Sequence, residues 1–261
     1  VGGAAAGVVA GARHMTMIQT LWESLPYLLW GAFPQGPLGG AALTLLLSAG
    51  SGIASAVLGL AWGIGLATAT GAFKTALALV LGFFRAIPVL MLIFWTYFLL
   101  PFALRVNVPG VLSVMCALSL VGGAYLAHAV HAGIRGIGAG QWAAGLSLGL
   151  TRWGTLRHVV LPQALRMMLP SFVNQWVTLV KDSSLAYIVG VGELSFVASQ
   201  VNARTMIYPA EIFMLVGAIY WLMCTALDRM ANLLARRAQR ASQPGGQRHK
   251  SFSRKGHGRF A

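Results

Sequence analysis

Acidic residues are nearly missing from this sequence: five Asp and Glu stand against nineteen Lys and Arg in 261 residues, a formal charge of +14. Charged residues make up only 9% of the chain, where ordinary soluble domains carry about 25%. That scarcity excludes a soluble globular domain and leaves no carboxylate pair for acid–base catalysis. Only two cysteines occur, Cys116 and Cys224, both inside apolar runs. They permit neither a disulfide framework nor a metal-ligand spacing, and read as small buried hydrophobes. His128 and His131 lack a third ligand nearby, so they read as titrating histidines facing a loop, and no metal site is expected. A Gly-x-x-x-x-Gly-Lys-Ser/Thr loop is also absent, and with it the phosphate cradle of an ATPase. No nucleophile–base–carboxylate set is present, so no catalytic residues are assigned.

What the sequence has in abundance is hydrocarbon, 57% of its residues being hydrophobic. A basic balance of this size suits either nucleic acid or an anionic membrane face. The bases lie in short loops and at the tail, between apolar runs, which selects the lipid bilayer and excludes nucleic acid. The expected fold is an all-α integral membrane protein with about five transmembrane helices, each needing roughly twenty residues. The spans run near residues 41–69, 75–100, 113–134, 167–191 and 211–234. Gly59 and Gly63 in the first span form a small-xxx-small pair that would admit another helix closely. Arg85 lies inside the second span, just before Pro88, and reads first as a brace for a bend there.

The chain divides into an N-terminal extension and interfacial helix (1–37), a membrane domain (38–235) and a basic disordered tail (236–261). The natural start is expected at Met15 or Met17, with the preceding low-complexity residues an extension. Trp22, Tyr27 and Trp30 anchor the interfacial helix. With an odd number of spans the two ends face opposite sides. Placing the C-terminus in the cytoplasm puts Lys74, the loop 135–166 and the tail inside, leaving Arg13, Arg105 and Arg204 outside. The positive-inside bias selects that orientation, with the N-terminus outside.

The loop 135–166 is the one long amphipathic interruption. Residues 140–148 suffice for about two helical turns. Gly149 offers the left-handed residue that ends a helix, and Thr151 can cap a second one. Pro162 is expected to stop that second helix and to push Leu161 out of helical conformation.

Ala143-Ala144-Gly145, Gly149 and Val159-Val160-Leu161-Pro162 are spaced so that the loop resembles the cytoplasmic "EAA" loop of ABC-importer permeases. The resemblance is closest to the polar amino-acid branch. It extends over most of residues 40–235, through Phe84-Arg85-Ala86-Ile87-Pro88, Ala132-Gly133-Ile134, Leu161-Pro162-Gln163-Ala164-Leu165-Arg166 and Lys181-Asp182-Ser183-Ser184-Leu185. The first of these, followed by Phe94-Trp95-Thr96-Tyr97, looks most like glutamate/aspartate permeases. Departures occur as well: Ala143 and His128 stand where the family has Glu, His131 where it has Arg, and Gly138 where it has Pro.

The resemblance implies a type I ABC importer permease fold in the bacterial inner membrane. It also implies a permease for glutamate and aspartate that binds no cofactor itself. ATP and Mg would bind a partner ATPase dimer. A second permease subunit, most often a different chain, and a periplasmic amino-acid-binding protein would complete the assembly. Gln141, Ala143, Ala144, Gly145, Gly149, Leu161 and Pro162 would then form the ATPase-coupling loop. With Ala143 replacing the family's Glu, coupling would be weaker or carried by shape alone. Arg85, Asn174, Gln175, Lys181, Asp182, Ser183 and Ser184 are candidates for a translocation path, or equally for a permease–permease interface. Other readings stay open: glutamine, basic or sulfur amino acids as substrate, an ion-driven transporter, or a non-transporting membrane scaffold.

Overall fold

A computed structural model describes residues 19–206 and 208–241. The low-complexity start, Arg13, Met15, Met17 and the last twenty residues lie outside that range. Among the described residues the elements are helical. Helix α1 covers residues 19–30, and a turn through Pro34–Pro37 leads into α2 (Gly40–Thr68). There follow α3 (Gly71–Ala86), α4 (Val89–Leu104), α5 (Gly110–Gly136), α6 (Ala139–Ser147) and α7 (Arg152–Thr155). A π-helical turn (Leu156–Val160) joins α7 to α8 (Leu161–Asp182), and a 3-10 segment (Ser183–Val189), α9 (Leu194–Thr205) and α10 (Pro209–Ala241) complete the chain.

Three helices, α2, α5 and α10, are long and apolar enough to cross a membrane, and the α3–α4 pair makes a fourth crossing if taken together. The second span bends at Pro88, as expected, and sharply: α3 and α4 meet at 103°. Pro88 is the cause, since it drives Ile87 into extended backbone (φ −76°, ψ 134°) and serves as the cap of α4. The expected fourth span, α8, falls short of the apolar measure because it carries Gln163, Arg166, Asn174, Gln175, Lys181 and Asp182. It nevertheless packs among α2, α5 and α10. Helix α10 runs on to Ala241, six residues into the stretch expected to be disordered. Its Ala-, Leu- and Arg-rich sequence favours helix, and bases suit a helix C-terminus.

Small residues hold the centre together. A Cβ on Gly59 would collide with Leu126, and one on Gly63 with Val130, so α2 and α5 approach as the small-xxx-small pair predicted. Around this seam Leu47, Ile93, Val114, Leu118 and Leu179 form one buried cluster. Val130, Ile134, Leu156, Val160, Ala164 and Met168 form another at the loop end. The outer surface is the reverse of a soluble protein's: Ile53, Leu79, Phe102, Met214 and Trp221 are exposed, as lipid-facing side chains should be.

The two ends of the bundle differ. At one, the last turn of α2 (Ala67, Thr68) meets Trp142 and Trp153 of the loop. At the other, Gly40 donates its N–H to Gly192 O (2.9 Å), and Leu194 N–H donates to Thr44 Oγ1 (3.1 Å). Tyr27 is no free interfacial anchor: its hydroxyl donates to Gln200 Oε1 (2.7 Å) and its ring lies 5.2 Å from the Arg204 guanidinium.

Candidate functional site

The loop between α5 and α8 is a compact hairpin. Helix α6 ends in three backbone bonds: Leu148 N–H to Ala144 O, Gly149 N–H to Leu146 O and Leu150 N–H to Gly145 O, at 3.2, 3.0 and 3.2 Å. Gly149 reverses the chain at φ +80°, the left-handed position that the sequence assigned to it. Thr151 then caps α7, its Oγ1 accepting from Gly154 N–H at 3.0 Å. Gly145 is buried rather than presented, with Thr155 occupying the place its Cβ would take.

Pro162 does not act as a stop. Val160 and Leu161 are both right-handed helical, so backbone runs from α7 through the π turn into α8 without a corner. Leu161 N–H reaches back to Leu156 O, a π-type bond, and Pro162 falls in the first turn of α8, where a missing N–H costs nothing. Gln163 closes the unit: its Nε2 donates to Val159 O (2.8 Å) and to Gln141 Oε1 (3.1 Å) on α6. The hairpin is therefore bonded directly to the start of α8.

Gln141, Ala143, Ala144 and Ser147 remain exposed on α6, forming a face of short side chains. Leu161 is half-buried and Pro162 exposed. Beside this face is a cavity of about 510 Å³, lined by Trp142, Leu146, Arg152, Trp153 and Leu156 and floored by the end of α2. Neither indole carries a role legible in the sequence; the fold sets both on one cavity, on either side of the Gly149 turn.

The second set of candidates divides into two. Asn174 and Gln175 line a polar cavity of about 260 Å³ with Tyr125, Ser171 and Thr178. Ser171, Asn174, Thr178 and Lys181 recur at helical spacing, so they form one stripe along α8. Arg85 joins this region through Tyr125: its guanidinium stands 5.1 Å from the ring centroid, and the Tyr125 hydroxyl reaches Arg85 O at 3.5 Å. Tyr125 thus braces the last turn of α3 at the Pro88 bend.

Lys181 to Ser184 sit at the far end of α8. Lys181 is exposed, Asp182 and Ser184 are half-buried, and no ion pair joins Lys181 to Asp182 among the described residues. Ser183 is buried, with its hydroxyl donating to Val180 O (2.8 Å). A larger cavity of about 430 Å³, between α2 and α8, is lined mainly by Ile53, Leu126, Leu169, Phe172 and Leu179 and offers a charged solute little.

His128 and His131 are half-buried, and Nε2 of the first and Nδ1 of the second are buried with no hydrogen-bond partner. A residue without an assigned role also emerges. Glu193 is fully buried and accepts from Ser195 N–H and Phe196 N–H (both 2.9 Å) and from the Tyr220 hydroxyl (2.7 Å). It joins the cap of α9 to α10. Its place as one of five acids, just ahead of a helix, was the signal available.

Residues 55–240 match the family described as "Binding-protein-dependent transport system inner membrane component". Among curated proteins, the chain is similar to a probable amino-acid ABC transporter permease, YckA, of Bacillus subtilis, 31% identical over 82% of this chain and 90% of that one. It is similar to the glutamate/aspartate import permease GltK of Escherichia coli, 30% identical over 82% of this chain and 94% of that one. The glutamine transport permease GlnP of Shigella flexneri is 32% identical over 83% of this chain and 95% of its own. Among solved structures, an amino acid ABC transporter crystallised with histidines superposes with a TM-score of 0.68 at 26% identity, covering 76% of this chain and 92% of the other.

Proposed function

The chain belongs to the family of binding-protein-dependent transport-system inner-membrane components, and from that premise we propose that it imports acidic amino acids, glutamate and aspartate. It is a permease subunit of an amino-acid ABC importer, with the type I fold. It is a translocation subunit rather than an enzyme, and ATP is hydrolysed by a partner ATPase. ATP and Mg are held by that partner, and a binding protein delivers the solute. The C-terminus and the α6–α7 hairpin face the cytoplasm of a bacterial inner membrane, as the charge distribution requires.

The mechanism follows from the hairpin's connections. An ATPase pair that closes on ATP grips the small-residue face Gln141–Ala143–Ala144–Ser147. Because Gly145 is locked against Thr155 and Gln141 is bonded to Gln163, the hairpin moves as one piece. The unbroken helical backbone through Pro162 passes that movement into α8, whose Ser171–Asn174–Thr178–Lys181 stripe lines the path beside a second permease subunit. Polar side chains on an otherwise apolar wall are tolerated only where water or protein meets them. Alternating access is the movement of that stripe between the two faces of the membrane.

The observation that carries the substrate assignment is Arg85, an exposed cation held over Tyr125, whose ring borders the Asn174–Gln175 cavity. The amides of Asn174 and Gln175 favour a second reading, glutamine, and the relatives include permeases for both solutes. Proteoliposomes holding the full assembly separate the two. Labelled glutamate and aspartate should enter on ATP addition, and excess unlabelled glutamine should not compete. Uptake of glutamine alone would replace the acidic assignment with the second reading.

A further inference from the structure

We infer that the ATPase partner presents a carboxylate to Arg152, in the cavity beside the gripped face; this rests on the permease reading above. The sequence contains no Asp or Glu between Glu23 and Asp182. Every charge on the loop is therefore an arginine: Arg135, Arg152, Arg157 and Arg166, all exposed. Position 143, where a carboxylate would have faced the ATPase, is Ala143, so the handle has only positive charge to offer.

Arg152 differs from the other three in its surroundings. Arg135 stands in the last turn of α5, Arg166 in the second turn of α8 and Arg157 on the π turn, and none of the three lines that cavity. Arg152 instead lines the 510 Å³ cavity with Trp142, Leu146 and Trp153, where the loop meets the last turn of α2. It opens α7, the end of a helix at which a cation is disfavoured, and no protein group among the described residues compensates it. Trp153 and Leu146 are exposed at 57% and 44%, so the rim is apolar as well as basic. Charge complementarity selects a carboxylate. The indoles select an apolar neighbour for it, and the adjacent Ala143–Ala144 face selects the ATPase as its owner. A guanidinium–carboxylate pair in such a half-dry cavity is geometrically exacting, which lets it replace the recognition that Ala143 lacks.

The test uses the tagged full-length chain co-expressed with its ATPase and purified from membranes. Arg152→Glu should retain roughly tenfold to a hundredfold less ATPase than the parent chain, Arg152→Gln an intermediate amount and Trp153→Ala less than the parent. Unchanged membrane insertion and elution volume check that each variant is folded. Arg152→Lys should keep the ATPase and also provide an amine. Treatment with a water-soluble carbodiimide should then yield, by mass spectrometry, an amide between position 152 and an Asp or Glu of the ATPase. Retention by Arg152→Glu equal to the parent's, or an assembled Arg152→Lys complex with no such amide, overturns the inference while leaving the permease reading intact. An amide to phosphatidylserine instead overturns it by assigning Arg152 to the lipid surface. A parent chain that retains no ATPase overturns the permease reading itself.

Discussion

Gly145 of α6 and Thr155 of α7 touch across the loop hairpin, and the place a Cβ would occupy on the glycine is filled by the threonine side chain. Gly145→Val must therefore part the two helices or strain both, at a cost of about 1–3 kcal/mol. All of that cost falls on the hairpin, because the seam between α2 and α5 is untouched. Membrane insertion should be normal, while ATP hydrolysis stimulated by the loaded binding protein should fall several-fold. Normal stimulation would mean that the hairpin need not move as one piece.

Gly149 tests the turn rather than the packing. At φ +80° an alanine costs roughly 1–2 kcal/mol, and proline also deletes the N–H that donates to Leu146 O. No protein atom lies near its missing Cβ, so backbone conformation alone decides the outcome. Stimulated ATPase activity should fall in the order parent, Gly149→Asn, Gly149→Ala, Gly149→Pro, because Asn tolerates the left-handed region best. Equal activity in all four would show that the reversal is not required for coupling.

These elements were legible because their signals are local. Gly149, Thr151 and the Gly59/Gly63 pair each do what their residue type permits, and apolar runs located α2, α5 and α10. What escaped depends on neighbours. Pro162 reads as a stop in isolation, yet one extra residue in the π turn before it lets the helix continue. Pro88 announced a bend but not its 103° angle, which is set by packing of α3 and α4 against α5. Tyr125 reads as one more apolar residue until the fold sets it beneath Arg85. Whether Asn174 lines a path or an interface is likewise not written in α8 alone, since it depends on what packs against that helix.

Glu193 should be an anchor of the end opposite the hairpin. Glu193→Ala removes the acceptor for two α9 N–H groups and the Tyr220 hydroxyl, at a cost of roughly 2–4 kcal/mol. Burial pushes its carboxyl above the ordinary glutamate range, against the opposing pull of the Ser195, Tyr220, Phe196 and Thr44 contacts. A carboxyl raised in the folded state holds its proton more tightly there than in the unfolded chain. Its contribution is complete below the unfolded value and is lost as pH climbs through the folded one. The Tm of the purified protein should thus decline as pH rises across that window, and Glu193→Gln, which cannot ionise, should flatten the decline. An identical slope in both proteins would assign the pH dependence to other groups.

Gly63 tests the central seam. A side chain there meets Val130 Cβ and Cγ1 directly, and Ala127 O lies only 2.8 Å from the missing Cβ. Gly63→Val should lower the Tm in detergent and the yield of folded protein. Val130→Ala added to it should recover part of the loss, because it removes the Cγ1 contact while the Val130 Cβ and Ala127 O contacts remain. No recovery would place the strain in the Val130 Cβ and Ala127 O contacts, which that change leaves in place.

Arg85 has two separable jobs, bracing the Pro88 bend and meeting an anionic solute, and the Tyr125 contact distinguishes them. The hydroxyl of Tyr125 touches the backbone of Arg85, while its ring touches the guanidinium. Tyr125→Phe keeps the cation over a ring and loses only the 3.5 Å contact, so transport kinetics should barely change. Arg85→Gln removes the charge and leaves that backbone contact alone. Because the side chain is exposed, its Tm should stay near the parent's while the KM for glutamate rises at least tenfold and that for glutamine does not. Arg85→Lys, a point charge without the planar stack, should lie between. The bend explains Arg85 sufficiently if Arg85→Gln lowers the Tm by several degrees and leaves the glutamate KM where it was.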